Sequence, residues 1–294
     1  MKIIDSFMYF DEDMMLDIRL NTLNEYVSKF IICEAKFNHK GIRKKLNFDF
    51  KNFQKFKDKI EYIVLEDQPD NILEISDKDS IEEKNSKILD NALMRENFQR
   101  NYCLKNLKNF NSEDLILIND LDEIPNLKNF TYRTKITIFI QKMFYYKLNL
   151  IYPNFDWMGS KICKIKNLLS PQWLRNIKPK KYPKWRLDVF FSKKKSFDLS
   201  FVVSGGWHFT NVKSVEKIDF KMRNFLHHLE YEESGMNIDT LKKFINEKRV
   251  MYDHKADKKN TSKWMQSKNL EKCSIERLPN YIKENKSKFS KWMD

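Results

Sequence analysis

Three carboxylates lie within four residues near the middle of this 294-residue chain, at Asp120, Asp122 and Glu123. They come just after the apolar run 115–118. Carboxylates this close repel one another and resist burial unless a cation lies among them. A hard divalent ion held by oxygen ligands would satisfy all three. The pattern alone also allows a solvated acidic turn after a core strand.

The stretch 204–208 reads Ser-Gly-Gly-Trp-His and offers a candidate ligand in His208. Two adjacent glycines allow the backbone to approach a ligand closely or to adopt positive φ. A lone histidine is more often structural than a ligand. The two glycines and the indole ring before it favour a functional role here.

Basic side chains that could hold phosphate occur in two other places. A helix is predicted over 86–107, where Glu96 and Arg100 have i,i+4 spacing and Arg95 lies beside them. Surface ion pairing is the alternative for these residues. In the segment 173–186, basic residues alternate with aromatic ones, which suits stacking on sugar rings or bases and holding phosphates. The same segment would also suit a solvated loop.

The elements that must position these residues alternate between strands and helices. Strands are predicted at 2–9, 30–33 and 60–65, with an amphipathic helix between the first two. A carboxylate, Glu34, follows the second strand directly. This is the outline of a doubly wound nucleotide-binding sheet, to which 115–118 adds a strand buried on both faces. No Gly-x-Gly-x-x-Gly or Walker sequence occurs, which excludes those dinucleotide and P-loop sites.

The rest of the chain is predicted to complete one domain. Further strands are expected at 135–148, 161–166 and 199–203. We predict a single catalytic domain over 1–253. The remaining residues, 254–294, are basic and polar, and we predict a peripheral tail that is partly helical.

Positive charge is concentrated in the second half of the chain. Residues 1–150 carry 24 Lys and Arg against 25 Asp and Glu, whereas residues 151–294 carry 31 against 16, a net charge of +15. That half is expected to face phosphate groups, an anionic membrane or nucleic acid.

The four Cys are at least 60 residues apart, which excludes a zinc ribbon and gives no sign of a disulfide framework. No apolar run approaches the ~18 residues of a transmembrane helix and no signal-peptide core occurs, so we predict a cytoplasmic protein.

Several groups of residues, in this order along the chain, resemble the motifs of glycosyltransferase family 17. They are Met-Leu-Asp-Ile-Arg-Leu at 15–20, Phe-Ile-Ile-Cys-Glu-Ala-Lys-Phe at 30–37, Arg-Glu at 95–96 with Gln-Arg at 99–100, Asp-Leu-Asp-Glu-Ile-Pro at 120–125, and Gly-Trp-His at 206–208. The resemblance runs from about Lys2 to about Asp253. Each motif alone is weak evidence for the family, but the order and spacing of the motifs together are specific to it.

The resemblance implies a nucleotide-sugar transferase of the GT-A type, with one Rossmann-like α/β domain and a mixed central sheet. It also implies inversion at the anomeric carbon, a divalent metal (Mn²⁺, or Mg²⁺) and a UDP-sugar donor, with UDP-N-acetylglucosamine as the family expectation. Carried over by position, Asp122 is the direct metal ligand. Asp120 reaches the ribose, or the metal through water. His208 is a further metal ligand or a diphosphate contact.

Other donor-binding residues follow from the same resemblance. Glu34 would lie near the nucleoside. Arg95 and Arg100 would brace the diphosphate, and Gly206 and Trp207 are assigned to the donor site with them.

An inverting transfer also needs a general base within hydrogen-bond reach of the acceptor hydroxyl. Asp156, beside Trp157, and Asp188, within the basic aromatic segment, are the candidates. Glu123 and Glu232 are the second-ranked candidates for the general base.

The acceptor is expected to differ from that of the animal members of the family. The chain lacks their anchor, stem and Cys-rich pattern, so we expect a bacterial or viral member. Its acceptor would be a surface polysaccharide, a lipid-linked oligosaccharide or a glycoprotein. The positively charged half would then contact lipid phosphate or an anionic leaflet at the inner membrane face.

The sequence leaves two other functions open. The cluster of Asp120, Asp122 and Glu123, joined by Glu34, could serve a metal-dependent phosphoryl-transfer enzyme or nuclease. The basic aromatic half could instead bind nucleic acid without catalysis, with a steep dependence on salt. Neither function explains the acidic cluster and the Gly-Gly-Trp-His stretch together, so nucleic acid is the partner least expected.

Overall fold

A computed structural model of the chain describes residues 1–225, 228–254 and 268–294, and within them twelve strands form two sheets. The larger sheet contains β1 (Ile3–Tyr9), β2 (Lys29–Ala35), β3 (Ile60–Leu65), β4 (Leu115–Ile118), β6 (Ile136–Phe139), β9 (Lys161–Lys164) and β10 (Leu199–Val202). The smaller sheet contains β5 (Glu123–Pro125), β7 (Gln141–Tyr145), β8 (Leu150–Trp157), β11 (Gly206–Thr210) and β12 (Glu271–Lys272).

The helices pack around these sheets. They are α1 (Asp13–Leu23), α2 (Ile81–Asn101), α3 (Leu104–Leu107), α4 (Pro171–Asn176), α5 (Val215–Asn224), α6 (His228–Glu233), α7 (Ile238–Asn246) and α8 (Asn280–Glu284). Among the described residues, no helix combines the length and the apolar character needed to cross a membrane.

The larger sheet is mixed and has the strand order β10-β6-β9-β4-β1-β2-β3. Strands β3, β2, β1 and β4 run parallel, while β9 runs antiparallel between β4 and β6. The predicted α/β fold with a mixed central sheet is therefore confirmed. The strands predicted at 2–9, 30–33, 60–65, 115–118, 161–166 and 199–203 are also present, with small changes at their ends.

Strand β4 lies at the centre of the larger sheet. All four of its residues are apolar and buried, with β1 on one side and β9 on the other. A strand enclosed on both faces and both edges has no room for charged side chains. The chain therefore leaves the sheet before its carboxylates, and residues 120–123 form a turn, here called the acidic turn.

The acidic turn leads directly into the smaller sheet. Its last residue begins β5, which pairs antiparallel with β11, so that His208 lies opposite Glu123 and Gly206 lies opposite Pro125. Pro125 thus ends a short edge strand, where a missing N–H is tolerated. The predicted strand over 135–148 is two strands, because β6 joins the larger sheet and β7 the smaller one. This change of sheet accounts for its weak alternation.

Helix α2 begins at Ile81, earlier than the predicted start at 86. Ser80 caps it, since its hydroxyl accepts a hydrogen bond from the backbone N of Glu83 at 3.1 Å. The Glu83 carboxylate accepts one in return from the backbone N of Ser80 at 2.8 Å. This capping box lies inside the polar stretch 70–85, whose composition resembles a loop and hid the helix start.

The end of the chain contributes to the main hydrophobic core. Leu278, Ile282 and Phe289 are buried there against α1 and both sheets. These side chains are not peripheral, contrary to prediction, because a few apolar residues are spaced through a stretch whose average character is basic and polar. The domain boundary at 253 stays a prediction, and residues 255–267 of the predicted tail lie outside the described residues.

Gly206 is predicted to be required for the pairing of β5 with β11. Its φ is +129°, and an added Cβ would lie 2.2 Å from the Ile124 carbonyl oxygen. We expect Gly206→Ala to lower the free energy of unfolding by about 3 kcal/mol or more, since backbone strain and overpacking each cost roughly 1–3 kcal/mol. Chemical denaturation measures this loss.

Gly235→Ala is the matched control for this substitution. Gly235 also has a positive φ, +69°, but an added Cβ would meet nothing within 4 Å. Its loss should be about 1 kcal/mol, from backbone strain alone. Equal losses in the two variants would show that the close approach of β5 to Gly206 has no energetic consequence.

Candidate active site

A cavity of about 260 Å³ opens at the carboxyl ends of β1, β2 and β4. Asp120 and Asp122 of the acidic turn lie on its wall, and so does His208 of β11. Trp157 at the end of β8 and Lys221 on α5 line it as well. The fold therefore brings the acidic cluster and the Gly-Gly-Trp-His stretch together, at the edge of the sheet where α/β proteins bind ligands.

Asp122 faces two basic groups inside the cavity. Its Oδ1 lies 3.5 Å from His208 Nε2, and its Oδ2 lies 3.9 Å from Lys221 Nζ. Burial by itself would raise the pKa of Asp122, but these two neighbours hold that pKa below its usual range. The backbone fixes its position, since Phe209 N donates to the Asp122 carbonyl at 2.8 Å. Asp122 is therefore a positioned, ionised carboxylate.

His208 is also fixed by its neighbours. Its Nε2 lies 3.0 Å from the Thr210 hydroxyl, and its ring centroid lies 4.7 Å from that of Trp157. The imidazole thus has one edge toward Asp122 and one face against an indole ring. The structure thus places His208 on the cavity wall, and its functional role stays a prediction.

Asp120 is bound by two arginines. Its Oδ1 lies 2.8 Å from Arg100 Nη2, and its Oδ2 lies 2.8 Å from Arg175 Nη2. Burial would raise the pKa of Asp120, but Arg175 and Arg100 outweigh this effect and hold the pKa well below its usual range. Arg100 also pairs with Glu96 at 2.7 Å, as the i,i+4 spacing predicts. Asp120 therefore belongs to an ion-pair network at the cavity wall.

The Glu123 side chain stabilises the acidic turn through buried hydrogen bonds. Its carboxylate is fully buried and accepts hydrogen bonds from Arg175 at 2.5 and 3.0 Å and from Trp157 Nε1 at 2.5 Å. It also accepts one from the backbone N of Asp120 at 3.0 Å. With these partners, Glu123 lies behind the cavity wall and is not placed to act as the general base.

Arg19 binds the acidic turn from the opposite side. Its guanidinium is fully buried and forms a bidentate pair with Asp5, at 2.7 and 2.8 Å. Its Nη1 donates to three backbone carbonyls, those of Asp120, Leu121 and Glu123, at 3.2, 3.1 and 2.6 Å. Helix α1 and strand β1 are thereby tied to the turn that carries the candidate ligands.

Sequence reasoning missed Arg175 as an individual residue, although it lies in the segment 173–186. Helix α4 presents it, and the helix start was readable from Ser170, whose hydroxyl accepts from the backbone N of Trp173 at 3.0 Å. At the other end, Lys161 Nζ donates to the carbonyls of Arg175 and Ile177, the latter at 2.7 Å. No local signal connects Arg175 with carboxylates more than fifty residues away.

Lys161 is expected to make stability depend on pH. Burial, with Arg175 nearby, lowers its pKa from 10.5 to about 7. Between pH 7 and 10.5 the unfolded chain therefore holds a proton that the folded chain has released, so the free energy of unfolding rises with pH in this window. From pH 7 to pH 9 the gain from Lys161 should be about 2 kcal/mol.

Denaturation of the native chain and of Lys161→Met at both pH values measures this gain. The difference between the two proteins isolates Lys161 from the tyrosines and cysteines, which titrate in both. A difference that stays constant from pH 7 to pH 9 would show that Lys161 keeps its proton when folded.

Several residues assigned to the donor site lie away from the cavity. The Glu34 carboxylate is buried and accepts from Lys44 Nζ at 2.5 Å, from Tyr62 at 2.9 Å and from the backbone N of Asn47 and Phe48 at 2.8 and 3.1 Å. It thus anchors the loop after β2. Lys44, its partner, lines the cavity instead.

Arg95, Gly206 and Trp207 also serve other contacts. Arg95 donates to the Gln68 side chain at 2.6 Å and to a backbone carbonyl at 3.2 Å. Gly206 packs against β5, and Trp207 Nε1 donates to the Arg277 carbonyl at 2.7 Å. Their sequence motifs mark close packing around the site rather than its inner wall.

The two first candidates for the general base do not reach the cavity. Asp156 pairs with Lys142 at 2.6 Å, and its side chain leaves β8 on the face opposite Trp157, because successive side chains of a strand point to opposite faces. Asp188 pairs with Arg186 at 2.6 Å in an exposed loop. The placement of both side chains speaks against the role assigned from sequence, because neither lines the cavity that contains Asp122.

Glu232, the remaining candidate, is also on the surface. It pairs with Lys40 at 2.9 Å. Sequence proximity to aromatic residues was a poor guide to the base, since it does not fix the direction of a side chain.

Asp122 and His208 can form part of a metal site. Within the described residues, no three His, Cys, Asp or Glu side chains converge as a complete ligand set. The 3.5 Å between Asp122 Oδ1 and His208 Nε2 nevertheless suits two ligands of one ion, since ligands about 2.1 Å from a metal lie roughly 3–3.5 Å apart. Small divalent ions usually take their other ligands from substrate phosphates and water. The pair therefore fits an ion that arrives with a phosphorylated substrate.

Comparison with protein families agrees with the motifs seen in the sequence. The family model of glycosyltransferase family 17 matches residues 1–293, and a search of curated proteins gave no match. The match covers the whole central sheet, the acidic turn and β11, and it extends beyond the resemblance found over residues 2–253. The chain therefore belongs to glycosyltransferase family 17 and is a glycosyltransferase.

Proposed function

We propose that the chain transfers N-acetylglucosamine from UDP-N-acetylglucosamine to a glycan, with inversion and with the help of Mn²⁺ or Mg²⁺. Membership of the family supports a nucleotide-sugar donor and a glycan acceptor. The observation that carries the finer proposal is the grouping of Asp122, His208 and Lys221 on one wall of the cavity. Carboxylate, imidazole and ammonium groups together suit a metal and a diphosphate.

The charges of the cavity fit the leaving group of such a transfer. A departing UDP develops negative charge, which positioned cations stabilise. Asp122 and His208 would hold the metal, and the metal would neutralise the diphosphate. Lys221 and Lys44 also line the cavity, where they pair with Glu12 and Glu34, and they would contact the diphosphate. Asp120, held between Arg100 and Arg175, keeps the acidic turn in place beside them.

Aromatic rings offer surfaces for the nucleoside and the sugar. Phe10 and Phe225 line the cavity with ring centroids 4.9 Å apart. Trp157 also lines the cavity, with its ring beside that of His208. Planar bases and sugar rings pack well on such faces. We propose that these two groups of rings bind the ends of the donor on either side of the diphosphate.

The strand order supports the GT-A assignment. The parallel strands β3, β2, β1 and β4 lie side by side in that order, and the antiparallel β9 follows them. The acidic turn lies at the carboxyl end of β4, the last of the four.

We further propose a bacterial or viral enzyme acting in the cytoplasm on a surface polysaccharide or a lipid-linked glycan.

Release of UDP from a panel of nucleotide sugars tests the proposal. The full chain is incubated with each sugar nucleotide, with Mn²⁺ or with a chelator, in the presence of glycan acceptors. We expect turnover with UDP-N-acetylglucosamine in Mn²⁺ and its loss in chelator. Turnover of another sugar nucleotide would correct the donor, and undiminished turnover in chelator would overturn the metal. Anomeric configuration of the product, read by NMR, tests inversion.

A further inference from the structure

The segment 178–195, here called the basic loop, exposes large apolar side chains outside the candidate active site. Trp185, Leu187, Phe190 and Phe191 are 75%, 67%, 70% and 89% exposed. Single exposed apolar residues are common, but four within seven positions form a patch that marks an interaction surface.

The basic loop is also strongly charged. It contains eight Lys and Arg and one Asp, so its net charge is +7. The one carboxylate, Asp188, pairs with Arg186 and Lys195. Apolar side chains and cations therefore occur together on this surface. This combination distinguishes it from an ordinary protein interface, whose centre is depleted of charge.

Internal contacts give the basic loop a defined shape. At its base, the backbone N of Lys178 donates to the Lys194 carbonyl at 2.8 Å, and Trp173 Nε1 donates to the Lys193 carbonyl at 2.7 Å. Within the loop, the Val189 side chain is buried, and the ring of Phe190 lies 4.9 Å from that of Phe197. The exposed rings are thus presented by a closed loop directly after α4.

We propose that the basic loop docks on an anionic lipid bilayer. Trp185, Leu187, Phe190 and Phe191 would enter the headgroup region while the surrounding lysines contact lipid phosphates. Amphipathic helices that combine Lys and Arg with Trp, Phe and Leu bind in this way at membrane interfaces, and the basic loop contains the same residue types. Each basic residue near an anionic leaflet adds to the attraction.

The apolar content favours lipid over nucleic acid. Aromatic rings and lysines would also suit single-stranded RNA. Leu187 has no base-stacking face, however, and it is exposed beside Phe190 and Phe191. Docking by this loop goes beyond the proposed donor and acceptor chemistry and does not depend on it, because it needs neither substrate.

Sedimentation of the full chain with lipid vesicles tests the proposal. We expect binding to vesicles of phosphatidylcholine mixed with phosphatidylglycerol and not to phosphatidylcholine alone. Phe191→Ser should weaken binding by about tenfold, through lost apolar contact. Lys193→Gln with Lys194→Gln should weaken it by a similar factor of about ten or more and reduce its salt dependence. Ile81→Ser is the matched control, since Ile81 is 78% exposed outside the loop and should not affect binding.

Tryptophan fluorescence distinguishes insertion from attraction by charge alone. Addition of the anionic vesicles should shift the emission of the native chain to shorter wavelength, and Trp185→Phe should abolish the shift. Equal binding by Phe191→Ser and the native chain, or no shift, would overturn insertion. Tight binding of single-stranded RNA without vesicle binding would overturn docking on lipid.

Two further measurements keep the test independent of folding and catalysis. The unfolding midpoint of Phe191→Ser should match that of the native chain, because the ring is exposed. Trp185→Ser serves as a second apolar variant if it does not. UDP release with a soluble acceptor should be unchanged in Phe191→Ser, so a failure of docking is distinguishable from a failure of the proposed transfer.

Discussion

Asp122→Ala should lower metal-dependent UDP release by at least about 10²-fold, the effect of removing one positioned electrostatic group from a transition state. Asp122 is the carboxylate that faces both His208 and Lys221, and it is held in place by the backbone of Phe209. Its loss would remove one of the two proposed metal ligands and leave Lys221 with Glu12 as its remaining carboxylate partner in the cavity. Rates measured at saturating Mn²⁺ and donor give the effect on transfer.

Asp156→Ala is the matched control for this substitution. It also removes an aspartate paired with a lysine, but from an exposed strand face outside the cavity. It should retain activity within about twofold, because exposed ion pairs contribute little. Titration of Mn²⁺ in the presence of UDP gives an independent readout, which Asp122→Ala should weaken and Asp156→Ala should not. Native-like transfer and Mn²⁺ binding by Asp122→Ala would remove this residue from the metal site.

Arg19→Met should have the largest effect on stability, a loss of about 3–5 kcal/mol in the free energy of unfolding. The substitution leaves the buried Asp5 without its bidentate partner and removes the donor to three carbonyls of the acidic turn. A buried charge without its partner is far more costly than an absent pair. Denaturant titration measures the loss in stability.

Comparison with Asp5→Leu and the double variant separates the pair from the packing. If the ion pair matters, the double variant should be less destabilised than the sum of the two single variants, since neither charge then remains alone. Arg19→Met should also reduce UDP release more than its stability alone explains, because the turn carrying Asp122 loses its support. A loss below about 1 kcal/mol would show that the Arg19–Asp5 pair contributes no more to stability than an exposed ion pair does.

The sequence predicted the central sheet well because its strands carry local signals. The run 115–118 is too apolar to lie anywhere but in a core, and the structure places it at the centre of the larger sheet. The helix start at Ile81 was missed because the surrounding composition is polar, although Ser80 and Glu83 carry a capping signature. Average composition also hid the buried residues near the end of the chain, such as Phe289.

The candidate site was predictable where function depends on residue type at a strand end. Asp122 and His208 lie together as the motifs suggested. Glu34 also stands at the end of a strand and Trp207 is next to His208 in sequence, but both turn their side chains into structural contacts. Arg175 could not be identified, because its role depends on partners brought near by the fold. Local pattern gives the neighbourhood of a site, whereas side-chain direction and distant ion pairs require the tertiary structure.

The pairing of β5 with β11 determines where this chain can tolerate insertions and deletions. His208 lies opposite Glu123 in that ladder, so the register of the two strands sets the distance between His208 and Asp122. A residue gained or lost within 120–125 or 206–210 would place an indole or a phenyl ring where the imidazole belongs. The loops between these two segments can change in length without moving Asp122 or His208. The surface loops, including the basic loop, can therefore change while Asp122 and His208 keep their geometry.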